Sequence, residues 1–145
     1  MALRPSRPSD LETLFDVWLR AVEATHAFLS VDDVEEFSTI VRERYLPQHE
    51  FTVVVDDDDH PYAFMGMTGS NVDSLFVDPE RHRTGAGRAL IEHARKLHPG
   101  GLTVDVNEDN GQAIAFYERM GFRTTRRSPV DGLGKPYPIL HMEWR

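Results

Sequence analysis

Residues 73–90 read DSLFVDPERHRTGAGRAL. An apolar, β-forming run ends at Asp78-Pro79, passes through a basic stretch punctuated by Gly85 and Gly87, and opens directly into a helical pattern. Such a stretch can hold a diphosphate. The strand aims the chain, the glycines let the backbone turn tightly and approach a ligand, and the first N–H groups of the helix point at the anion. Arg83 and Arg88 bracket the loop with positive charge. Two nucleotide patterns do not fit. A P-loop needs Lys-Ser/Thr after its last glycine, where Arg88-Ala89 stands, and the dinucleotide fingerprint needs a third glycine, where Leu90 stands.

Upstream, residues 2–4 read as a short strand, and Ser9 and Glu12 have the spacing of a capping box. Leu11, Leu14, Phe15, Trp18 and Val22 then recur at helical intervals over about four turns. A second helix is expected after Ser30, with Val34, Phe37, Ile40, Val41 and Tyr45 on its apolar side and Pro47 ending it. Strands are expected over 51–55, 62–68 and 72–77, with the aspartate run 56–59 as a solvated hairpin tip. After the glycine loop come helix 87–97, strand 102–106, helix 110–120 closed by Gly121, and an antiparallel pair over 122–127 and 137–144. The order is β-α-α-β-β-β-α-β-α-β-β, without repeat or linker, and predicts one domain over residues 1–145.

Composition narrows the function. The chain has 145 residues, 40% hydrophobic and 28% charged, as expected for one globular domain. No apolar run approaches a membrane span and the N-terminus lacks a signal-peptide core, so the expected address is the cytoplasm. The absence of cysteine excludes disulfides and a cysteine acyl-enzyme. A net charge of −8 argues against nucleic acid as partner, and any anionic ligand must be held by local positive features. No HExxH-like spacing and no G-x-S-x-G elbow occur, so neither a catalytic metal nor a serine hydrolase is expected.

A second segment raises the specificity of the reading. Residues 105–122 read DVNEDNGQAIAFYERMGF. Asn110 is placed as an N-cap, and Asn110, Ala113 and Tyr117 share one helical face. The loop RTGAGR, followed at this distance by N-x-x-A-x-x-x-Y-x-x-x-G-F, resembles the GNAT superfamily of acyl-CoA-dependent N-acyltransferases. The element order matches that fold along nearly the whole chain. ATHAFL (24–29), VNEDN (106–110), AFYERMGF (115–122) and DGLGKPYP (131–138) resemble a small bacterial subgroup, the YjaB-like acetyltransferases.

The resemblance implies an α/β (α+β) GNAT fold: a mixed, mostly antiparallel sheet of about seven strands, flanked by four helices, with its central strands splayed apart. It implies acetyl-CoA as cosubstrate and direct transfer to a primary amine in a ternary complex. His82, Arg83, Thr84, Gly85, Ala86, Gly87 and Arg88 correspond to the diphosphate loop, where His82 replaces the usual arginine or glutamine. Main-chain groups of Leu75, Phe76 and Val77 would bind the pantetheine arm, with Asn107 or Asn110 touching it. Tyr117 matches the tyrosine that protonates the departing thiolate.

Attack on the thioester requires a neutral amine. An alkylammonium of pKa about 10.4 is neutral roughly once in 2,500 molecules at pH 7, a cost of about 4.6 kcal/mol. A base is therefore useful. Asp73 is the first candidate, on the strand face shared with Leu75 and Val77. His26 is the second, and its competing role is that of a charge partner for a helix C-terminus. Glu23 and Glu108 are weaker options. Glu23, His26, Phe28 and Tyr137 are the expected acceptor-site residues, with Lys135 beside them. The acceptor class stays open among small amines, amino acids, antibiotics and peptide amines, and the chain as monomer or homodimer. The rival functions are a non-catalytic acyl-CoA sensor and a regulatory interaction protein.

Overall fold

The computed structural model describes all 145 residues, Met1–Arg145. Seven strands, β1 (Ala2–Pro5), β2 (Thr52–Val55), β3 (Pro61–Thr68), β4 (Asn71–Val77), β5 (Leu102–Asn107), β6 (Arg123–Ser128) and β7 (Ile139–Trp144), hydrogen-bond in the order β1-β2-β3-β4-β5-β7-β6. The helices are α1 (Leu11–Thr25), α2 (Val31–Ile40), the single turn α3 (Leu46–Gln48), α4 (Ala86–Leu97) and α5 (Gly111–Arg119). No helix is long and apolar enough to cross a membrane. The expected mixed sheet and element order are found. The chain divides into two compact units, one of residues 1–66 and 74–90 and one of residues 67–73 and 91–145.

The first unit is built on α1. Leu14, Val17, Trp18, Ala21 and Val22 lie at i, i+3, i+4, i+7 and i+8, and all are buried. Leu14, Val17, Trp18 and Val22 join Phe15, Leu46, Phe51, Val53 and Phe64 in one core, where full burial of each large side chain stabilises by roughly 1.5–3 kcal/mol. Register pairs β1 with β2 and β2 with β3, both antiparallel.

The expected Ser9–Glu12 capping box is not made. A 3-10 turn at Pro8–Asp10 precedes α1, and Asp10 folds back to accept the Arg7 N–H at 2.7 Å and the Arg4 guanidinium at 2.8 Å. An aspartate that pairs with arginine outcompetes a serine that offers only a hydroxyl. Pro47 does not end the second helix before it either. A π-helical turn over Val41–Tyr45 shifts the ladder, Leu46 N–H bonding Val41 C=O, and the proline is taken into the first turn of α3. Ser30 is the N-cap expected for α2, its Oγ accepting the Asp33 N–H at 3.1 Å. The aspartate run is more than a solvated turn: Asp56 Oδ1 accepts the N–H groups of Asp58 and His60, and Asp59 pairs with Arg4 and Arg7.

In the second unit, β5 alternates Leu102, Val104 and Val106 inward with Thr103 and Asp105 outward. It pairs antiparallel with β7 over six residues, and β7 with β6. The one parallel pairing joins β4 to β5 through Asn71↔Thr103 and Val72↔Val104. Asn110 caps α5, Oδ1 accepting the Ala113 N–H at 3.1 Å. Gly121, at φ 92°, closes it, with Phe122 N–H returning to Tyr117 C=O at 2.9 Å.

Candidate active site

In the first unit, β4 delivers the chain to the glycine loop. Asp78 caps the 3-10 turn Pro79–Arg81 and is tied to α1 by Arg20 at 2.5 Å, while its N–H bonds Tyr62 C=O at 2.8 Å. The loop entrance is thereby anchored on two elements. Beyond it, Arg81 to Gly85 are exposed. Arg83 and Gly85 both take left-handed conformations, φ 65° and 86°. For Gly85 this costs nothing, whereas for Arg83 it costs roughly 1–2 kcal/mol. Strain of this kind is held where the backbone must present its amides. The first α4 bond runs from Ala89 N–H to Gly85 C=O at 2.9 Å, so the amides of Ala86, Gly87 and Arg88 precede any intrahelical acceptor. The only atom within 4 Å of a Cβ built on Gly85 is Met1 Cε at 3.9 Å, so the loop's outer side is open. His82, Thr84 and Arg88 are exposed at the same loop. Leu75, Phe76 and Val77 are half-buried, and the Phe76 ring lies 5.6 Å from that of Phe64.

The same unit holds the α1–α2 junction. His26 terminates α1 at φ −116° and ψ 46°, its N–H bonding Val22 C=O at 2.8 Å. Thr25 Oγ1 lies 2.7 Å from Ala21 C=O and 2.7 Å from His26 Nδ1. The imidazole is half-buried with the Phe28 ring 5.2 Å away. Burial pushes its pKa below the ordinary value of 6.5. A neutral ring cannot be a cation at the helix C-terminus, the competing role for His26. Glu23, a turn earlier, is exposed.

In the second unit, Tyr117 projects from α5 with its ring sunk to 6% exposure, edge-on to Phe116 and Phe122 at 5.1 and 5.3 Å. Burial raises the phenol pKa above 10, so the group is protonated throughout the neutral range. No protein hydrogen bond reaches its hydroxyl, and the oxygen is not sealed from solvent. Asn107 ends β5 and its C=O accepts the Asn110 N–H at 3.0 Å. Glu108 is clamped by Arg127 at 2.6 and 3.1 Å, which lowers its pKa and occupies both oxygens. Asp131 organises the β6–β7 loop, accepting the N–H groups of Leu133 and Lys135 at 2.9 Å, and Tyr137 N–H bonds Lys135 C=O at 2.8 Å.

Asp73 stands on the exposed side of β4, but both its oxygens are engaged: Oδ2 by Thr68 Oγ1 at 2.5 Å and Oδ1 by Asn71 Nδ2 at 2.7 Å. That geometry suits a side-chain clamp better than a base. Sequence reasoning missed a second network. Asp105 Oδ1 meets His141 Nδ1 at 2.6 Å, and His141 Nε2 meets Ser128 Oγ at 2.7 Å. The connectivity is that of a charge relay, yet Ser128 is paired in the β6–β7 ladder opposite Ile139, so the three side chains stitch β5, β7 and β6 together. No local spacing signals it, since the three residues come from three strands. Thr25 was also missed, because its effect on His26 is visible only in the folded junction. An open hollow of about 410 Å³ lies at the start of β5, between Leu97, Gly100 and Glu143, and none of the expected site residues lines it.

The acetyltransferase (GNAT) domain family matches residues 24–144. The peptidyl-lysine N-acetyltransferase YjaB of Salmonella typhimurium is 47% identical over 97% of this chain and 95% of its own length. That of Escherichia coli K12 is 44% identical over 99% and 97%. The solution structure of the apo form of E. coli YjaB superposes with a TM-score of 0.93, covering 99% of this chain and 96% of that one.

Proposed function

The chain belongs to the acetyltransferase (GNAT) family and is an N-acetyltransferase, and from that premise we propose that it moves the acetyl group of acetyl-CoA to the ε-amine of lysine in a protein or peptide. The observation that carries this reading is the identity of 44–47% with two peptidyl-lysine acetyltransferases over almost the full length of each chain. A net charge of −8 supports it, since the field steers cationic, lysine-rich partners inward. In this reading residues 1–145 are a single catalytic domain, and the enzyme works in the cytoplasm of a bacterium as a monomer or homodimer. The transfer needs neither a metal nor nucleic acid.

Acetyl-CoA is bound as substrate. The amides from His82 to Arg88 hold its diphosphate, with Arg83 and Arg88 supplying charge. The main chain of Leu75–Val77 pairs with the pantetheine arm, and Asn107 or Asn110 touches it. A backbone N–H would stabilise the oxyanion of the tetrahedral species. Tyr117, kept protonated by burial, gives its proton to the coenzyme A thiolate. Glu23, Phe28 and Tyr137 line the acceptor site.

The test is thiol release from acetyl-CoA with a lysine-containing peptide, its Lys→Arg counterpart, free lysine and an α-amine peptide, with the product mapped by mass spectrometry. Acetylation confined to the ε-amine is expected. Turnover on α-amines or small amines alone would overturn the acceptor, and absence of coenzyme A binding by calorimetry would overturn the enzyme.

A further inference from the structure

We infer that His26, held by Thr25 in the tautomer whose Nε2 is unprotonated, is the base that removes a proton from the acceptor amine during acetyl transfer. The Thr25 hydroxyl has one hydrogen, and the Ala21 carbonyl 2.7 Å away can only accept. Thr25 Oγ1 therefore donates to Ala21 and must accept from His26 Nδ1, also at 2.7 Å. Nδ1 carries the ring proton, and the lone pair of the neutral imidazole is on Nε2.

That atom is available. No protein group bonds Nε2, and it is not among the sealed buried atoms. The Thr25–Ala21 bond is the back-bond of a threonine on a helix, so the helix itself orients the ring. Phe28 closes one side at 5.2 Å. Partial burial keeps the ring neutral at pH 7. By contrast, both oxygens of Asp73 and of Glu108 are already engaged.

The substrate ammonium loses one proton to solvent, and the neutral amine forms the C–N bond with the thioester carbonyl carbon. Bond formation makes the remaining N–H strongly acidic, and His26 Nε2 takes that proton. The C–S bond breaks with its electron pair on sulfur, which takes the Tyr117 proton. Solvent reprotonates the phenolate and receives the imidazolium proton. An imidazole matches this late proton, whereas it would be too weak to deprotonate an alkylammonium of pKa about 10.4 directly. Thr25 is a positioning residue.

The inference rests on the lysine-acetylation reading, and its test keeps the two apart. The ¹⁵N resonances of the His26 ring report the tautomer without any substrate: wild type should show protonated Nδ1 and bare Nε2. Thr25→Val should lose that pattern and roughly 10–100-fold in kcat with KM for acetyl-CoA unchanged, and Thr25→Ser should restore both. His26→Ala should lose roughly 10²–10⁴-fold in kcat and recover part of it with added imidazole. His26→Gln serves if the alanine variant fails to fold. A bare Nδ1 in wild type, or full turnover in both His26 variants, would overturn the inference while lysine acetylation by wild type stood. Failure of wild type to acetylate any lysine peptide would instead overturn the reading beneath it.

Discussion

Replacing Tyr117 by phenylalanine separates chemistry from folding unusually well in this protein. The ring is 6% exposed and packs edge-on to Phe116 and Phe122, contacts that phenylalanine reproduces. The hydroxyl has no protein partner, so its removal orphans nothing. The melting temperature should therefore stay within about 2 °C of wild type, which for a chain of this size is less than 1 kcal/mol. Turnover should behave differently. Loss of a positioned acid costs roughly 10²–10⁴-fold, or about 3–5 kcal/mol of barrier. The assay is thiol release at saturating acetyl-CoA and lysine peptide, with single-turnover quench to isolate the chemical step. Calorimetry checks that the affinity for acetyl-CoA holds. The raised phenol pKa adds a second readout: wild-type activity should show no loss from phenol ionisation up to pH 10, because burial moves that ionisation higher. A variant retaining its single-turnover rate within threefold would refute the acid assignment.

Three further outcomes follow from named contacts. Asp10→Asn removes one of the two carboxylates that hold the half-buried Arg4 guanidinium, Asp59 being the other, and should cost roughly 1–3 kcal/mol in urea unfolding. Because Arg4 holds the Asp10 pKa below its unfolded value, the carboxylate's stabilisation is full above about pH 4 and is lost as pH falls through the folded value; the variant should lack that acid-side slope. Gly66→Ala would place a Cβ 2.5 Å from Tyr45 Oη and 2.8 Å from Ser74 Oγ, breaking their 2.7 Å hydrogen bond; a loss of roughly 1–3 kcal/mol is expected in thermal unfolding. Arg83→Gly relieves a left-handed residue, so stability should hold or rise, while acetyl-CoA binding weakens and loses part of its salt dependence.

Much of this molecule is written in short-range signals. The helical spacing from Leu14 to Val22, the Ser30 and Asn110 caps and the Gly121 stop each depend on residues within about a turn of one another, so they survive as pattern in the bare chain. The glycine loop and the Asn110–Tyr117 helix face were legible for the same reason, and with the order of elements they determined the family. Where two local signals competed, the reading erred. Ser9 and Glu12 looked like a box, but Asp10 had arginines to answer it. Pro47 looked like a stop, but a π turn shifted the ladder past it.

Tertiary structure decided which polar groups were already taken. The sequence offered Asp73 as the first candidate base, His26 as the second and Glu108 as a weaker one. The β3–β4 turn set Thr68 and Asn71 on Asp73, chain closure brought Arg127 to Glu108, and the end of α1 turned Thr25 so that His26 keeps a lone pair. Chain closure also joined Asp105, Ser128 and His141, which no spacing connects. Periodicity and capping are fixed by backbone geometry over a few residues, whereas the Glu108–Arg127 pair and the Asp105–His141–Ser128 network depend on partners that only chain closure brings near.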